Sequence, residues 1–168
     1  ERNVADTRNY SRYYRQRLRA EVLLDAVCDI TDVPEEFSAM PSGSRANEIW
    51  THRVSSLFLD AFGRPDPNQD PPCERQIDTT VVQTLHLMNA PDLHKKVTSD
   101  EGRVAKLAAS EKPPREIVEE LYLLAYARFP REEEYQFGIT LLEQNDRRKA
   151  CEDLFWALLN TPEFLFKD

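Results

Sequence analysis

At 168 residues, with 40% apolar and 31% charged side chains, the chain is long enough to bury a core without metal or disulfide and too apolar for wholesale disorder. Its net charge of −8 argues against general nucleic-acid binding, which needs a basic face. Four glycines leave little for hairpins, eleven prolines fall mainly between candidate helices, and no run of about 18 apolar residues offers a membrane span.

In chain order, the first expected element is a helix from about Asn9 to Ile30, capped by Asp6 or Thr7. Tyr10, Tyr14, Leu18 and Val22 recur every four residues, and Ala26, Val27 and Ile30 extend that face. Six arginines (Arg2, Arg8, Arg12, Arg15, Arg17, Arg19) crowd residues 1–20 against Glu1 and Asp6. Cations sit badly at a helix N-terminus, so acidic groups elsewhere in the fold are expected to pair with them. Simple solvation is the plainer reading for some of them. Residues 31–47 form a loop broken by Pro34, Pro41 and Gly43 and anchored by Phe37 and Met40. Asn47 suits an N-cap for a helix through Trp50, Val54, Leu57, Phe58 and Ala61, with Gly63 just past its end. Alternation also permits a strand over Trp50–Phe58.

Arg64–Ile77 cannot be helical, because Pro65, Pro67, Pro71 and Pro72 fix φ and withhold donors. Long loops inside a domain are usually pinned or functional; the pins available are Arg64, Asp66, Asp70, Glu74, Arg75 and Asp78. Asp78 or Thr79 starts a helix with Val82, Leu85, Met88 and Asn89 inward, and Pro91 opens a short one. Ser99 or Asp100 opens a polar helix through Ala109. Pro114 opens a helix whose Ile117, Val118, Leu121, Leu124 and Ala125 form a stripe ending near Arg128. Phe129-Pro130 turns the chain into Glu132–Gln144, an antiparallel partner carrying Tyr135, Ile139 and Leu142. Asp146 caps the last long helix, where Ala150, Cys151, Leu154, Phe155, Leu158 and Leu159 face inward. Asn160 is the candidate left-handed residue at its end, and Thr161-Pro162 starts a final turn with Phe164 and Phe166. The expected fold is all-α: one multi-helix bundle over residues 1–168 with a long proline-rich central loop.

Recognisable chemistry is sparse. Cys28, Cys73 and Cys151 make no CxxC or CxxCH, so neither a zinc knuckle nor a covalent haem site is encoded. Cys28 and Cys151 read as small buried hydrophobes, with one disulfide open to an exported protein. His52 has no partner in register, and Cys73, His86 and His94 match no metal-ligand spacing. Glu132, Glu133 and Glu134 suit the macrodipole of the helix they open. Paired carboxylates, a Ser/His/Asp order and a phosphate-cradling glycine loop are all missing, so no catalytic residue, metal or cofactor is assigned to this fragment. The opening without Met suggests a fragment of something longer.

The runs YYRQRLRAEVLLDAVCDIT (Tyr13–Thr31), FLDAFGRPD (Phe58–Asp66), CERQ (Cys73–Gln76), QTLHLMNAP (Gln83–Pro91), ELYLLAYARFPREEE (Glu120–Glu134) and EDLFWALLNTPEFLF (Glu152–Phe166) carry a family resemblance. In order and spacing they resemble the C-terminal conserved domain of unknown function of large exported planctomycete proteins, many with an N-terminal planctomycete-type cytochrome c domain. The resemblance implies the C-terminal part of a longer, multi-domain protein, a periplasmic or cell-surface location and partner domains in the same protein; it supplies no catalytic residue. Two positions depart from it. Arg131 stands where relatives place Thr or Ser as a cap, implying a less well capped helix. Lys167-Asp168 stands where relatives often end in His, so no haem or metal role carries over.

Most of the shared residues read as architecture: Arg17 and Glu21 at i, i+4 on the first helix, Gly63 and Pro65 in the loop, Asn89 and Asn160 at helix ends, Trp156 and Phe164 in the core. Arg64, Asp66, Glu74, Arg75 and Gln83 are different, because a core does not need them. They form either an internal polar network that fixes the loop or a ligand site. The functional expectation is a non-catalytic scaffold or interaction domain docking against other domains of its parent. The alternatives are an accessory part of a haem-linked redox assembly, with the haem elsewhere in the parent, or of a cell-surface glycan-binding or glycan-degrading protein.

Overall fold

The computed structural model describes residues 15–50, 54–65, 83 and 89–167. Among these the protein is an all-α helical bundle of eight α-helices, and the expected fold class holds.

The N-terminal segment departs from the periodicity. Helix α1 is Ala20–Thr31, and Gln16–Arg17 instead form a short strand, β1. That strand pairs antiparallel with β2 (Phe166–Lys167), Gln16 opposite Lys167 and Arg17 opposite Phe166, and the Leu18 N–H donates to the Leu165 carbonyl at 2.9 Å. A backbone whose donors and acceptors serve the far end of the chain cannot also close helical turns. Arg17 therefore lies outside the first helix, and the expected i, i+4 placement with Glu21 on one helix does not hold. The proposed start at Asn9 and its caps lie outside the described residues.

After α1, Phe37 is buried and Met40 packs against the core, so the loop anchors are as expected. The helix expected from Asn47 does not form there. Ala46–Glu48 make one 3-10 turn, and α2 is only Leu57–Ala61, capped by the Ser56 hydroxyl accepting from Leu59 N–H at 3.3 Å. Ser56 is extended (φ −153°, ψ 110°), so the helical repeat is interrupted just before Leu57. Val54 and Phe58 are buried as expected, whereas Trp50 and Leu57 are 77% and 75% exposed. Alternation fails as well, since Leu57 and Phe58 are helical. Gly63, at φ +83°, sits one residue beyond the cap; its N–H donates to Asp60 and that of Arg64 to Leu59, the paired bonds of a Schellman ending.

The remainder follows local signals closely. Helices α3 (Pro91–Val97) and α5 (Pro114–Tyr126) start on proline, and α6 is Glu132–Gln144. Helix α7 (Arg147–Leu159) is capped by Asp146, which accepts from Lys149 N–H at 2.9 Å. Helix α8 (Pro162–Leu165) is capped by Thr161. Helix α4 (Arg103–Ala109) begins later than expected, because residues 99–102 form a turn closed by Gly102 N–H on the Ser99 carbonyl. Asn89 is exposed rather than inward. Asn160 is not left-handed (φ −92°, ψ 8°); its amide instead donates to the Trp156 carbonyl at 2.8 Å. Left-handed residues instead end α1 at Asp32, φ +60°, and α5 at Ala127, φ +53°.

One hydrophobic core runs through the bundle, from Leu23, Leu24 and Val27 of α1 to Ile117, Val118 and Leu121 of α5 and Leu154, Phe155 and Leu158 of α7. Phe164 is buried and Trp156 packs at the edge. Helices α5 and α6 meet closely at Gly138, where a Cβ would stand 2.6 Å from Cγ2 of Val118. Their turn is held by Arg128, which reaches Glu134 of α6 at 2.8 and 2.9 Å and Glu163 of α8 at 2.6 and 2.9 Å. The guanidinium also lies over the Tyr122 and Tyr126 rings, 5.5 and 5.3 Å from their centroids. Arg131 supplies no capping acceptor, as the departure from its relatives implied. Glu134 compensates from the other side, accepting from Arg131 N–H at 2.7 Å.

Candidate functional site

Of the five polar residues singled out from the sequence, the structure describes Arg64 and Gln83; Asp66, Glu74 and Arg75 lie outside the described residues. Arg64 follows the Schellman turn of α2, which aims it back along the segment it closes. Its Nη1 donates to the Val54 carbonyl at 2.6 Å, while Nη2 and Nε both donate to Oδ1 of Asp60, at 2.6 and 3.1 Å. Only 6% of the side chain is exposed. A buried guanidinium is tolerable when its donors are spent, and here they tie the chain before α2 to the turn after it. The same turn is held from outside by Arg17, whose Nη2 donates to the Phe62 carbonyl at 2.8 Å and whose guanidinium lies 5.3 Å from the Phe62 ring centroid. Burial lowers the Arg17 pKa from its ordinary value. Gln83 is 2% exposed, inside the core region rather than on a surface.

A second polar cluster escaped the sequence reading. Asp25, Asp29 and Asp32 recur at i, i+4 and i+7, the first two on α1 and the third at its C-cap, and that spacing was the available signal. The row faces a cleft of about 400 Å³ whose other walls include Cys28, Glu35, Arg45 and Arg103. Asp25, 5% exposed, accepts Ala46 N–H at 2.7 Å, Asn47 N–H at 3.1 Å and the Asn47 amide at 2.6 Å, so it fastens the 3-10 turn to α1. Asp29 takes both arms of Arg45, at 2.9 and 2.6 Å. Lys106 donates to Asp32 at 2.5 Å and holds that carboxyl below its usual range. Lys96, 6% exposed, reaches Glu35 at 3.0 Å and the Val33 and Pro34 carbonyls at 3.0 and 2.9 Å. Arg103 donates to the Ile30 and Asp29 carbonyls, satisfying α1's C-terminal acceptors from a different helix.

This arrangement has little to offer a substrate. Each carboxylate of the cleft already holds a cation or backbone N–H, so none is a free general base. Burial pushes the Cys28 thiol up despite nearby Lys96, and the Cys151 thiol, fully enclosed in α7, up to about 11. Thiols so protonated are poor nucleophiles. Cys28 and Cys151 are both free; Cys28 is half-buried rather than enclosed. Among the described residues no three His, Cys, Asp or Glu side chains are placed to hold a metal ion. Of the considered Cys73, His86 and His94, only His94 is described; it lies edge-on to Trp156 at 6.0 Å, beside a groove of about 370 Å³. No described helix is long and apolar enough to cross a membrane.

The geometry therefore describes a helical domain whose polar residues chiefly secure its own loops. The chain belongs to the family "PSD1: Protein of unknown function (DUF1553)", which it matches over residues 1–142. No curated protein and no solved structure matches it.

Proposed function

We propose that this chain is a non-catalytic scaffold domain that docks against the other domains of an exported multi-domain protein. The observation that supports the reading is where the buried and half-buried charges go. Asp25, Arg64 and Lys96 each join one chain segment to another. Arg147 does likewise, spanning from α7 to the carbonyls of Ala108, Ser110 and Lys112. Polar groups consumed in this way hold a rigid shape, and a rigid shape is what a docking partner needs. On this reading Arg64, Asp66, Glu74, Arg75 and Gln83 belong to one internal network fixing the proline-rich loop, and the domain itself binds no haem or metal.

Hydrogen exchange tests the proposal, comparing this domain alone with the same domain inside its full-length parent. New protection on a contiguous set of surface amides is expected in the parent. Identical exchange in both, or a Soret band in the isolated domain, would overturn it.

A further inference from the structure

We draw no further inference here: the strongest candidate, the cleft of about 400 Å³ between α1 and the loop that follows it, belongs to the charge network already described, because Asp25, Asp29, Asp32 and Glu35 are each held by a cation or backbone N–H of the protein and nothing there points to a ligand.

Discussion

Replacing Gly138 by alanine sets two effects of opposite sign against each other, and the structure decides between them. Alanine is favoured over glycine inside a helix by about 1 kcal/mol. At this position the new methyl would stand 2.6 Å from Cγ2 and 3.0 Å from Cγ1 of Val118. Carbon contacts are comfortable only near about 3.5–4.0 Å. Val118 has little room to yield: it is fully buried in α5, and a β-branched side chain in a helix has one strongly preferred rotamer. Overpacking costs about 1–3 kcal/mol, and a contact as short as 2.6 Å belongs in the upper part of that range, about 2–3 kcal/mol, so the net expectation is a loss of about 1–2 kcal/mol. In a protein of this size that lowers Tm by about 2–8 °C. Urea unfolding followed by far-UV circular dichroism gives the free energy directly. Val118→Ala alone should destabilise by about 2 kcal/mol through lost apolar burial. The double variant should lose less than the two singles together, because the methyl added to α6 then occupies vacated space. Gly138→Ala matching or exceeding the wild type, or strict additivity in the double variant, would refute the close-approach reasoning.

Three further outcomes follow from particular contacts. Asp25→Ala leaves the buried Ala46 N–H and the Asn47 N–H without their acceptor, costing about 2–4 kcal/mol; a thermal melt within about 1 °C of wild type would contradict this. Arg128 holds Glu134 down to about 2 from an ordinary 4.5, and a depressed carboxyl contributes stability that is complete above the higher value and lost as pH falls toward the lower. The stability gap between wild type and Arg128→Gln, about 2–3 kcal/mol near neutrality, should therefore close between those two pH values; urea midpoints across that range measure it, and a gap unchanged at the acid end would be contrary. Ala127→Gly relieves a left-handed backbone costing about 1–2 kcal/mol, against about 0.5–1 kcal/mol of added chain entropy. A slightly raised Tm is expected, and a lowered one would be the opposing result.

The C-terminal half was legible because its signals are local. Pro91 and Pro114 mark helix starts, Asp146 and Thr161 are side-chain caps, and the acids of α6 open it at Glu132. The N-terminal half was less so, because distant partners decide its backbone. Periodicity through Tyr10, Tyr14 and Leu18 carries no trace of Phe166–Lys167, whose pairing with Gln16–Arg17 delays the helix to Ala20. Trp50 and Leu57 fit a helical spacing but end exposed, since α2 begins only at the Ser56 cap. In the candidate site, Arg64 stood out in the sequence as a residue the core does not need, and its partners, Val54 and Asp60, come from its own neighbourhood. The row of Asp25, Asp29 and Asp32 along α1 and its C-cap was readable as spacing alone. Its meaning depended on Ala46, Arg45 and Lys106, which only the folded loop and α4 bring to it.

The proposed docking role is tested most directly by calorimetric titration of this chain with the other domains that the proposal places in the same protein, expressed separately. Saturable binding with a negative heat-capacity change is expected, because a docking interface removes apolar surface from water. No heat of binding at partner concentrations of about 1 mM, meaning an interaction weaker than about −4 kcal/mol, would contradict it.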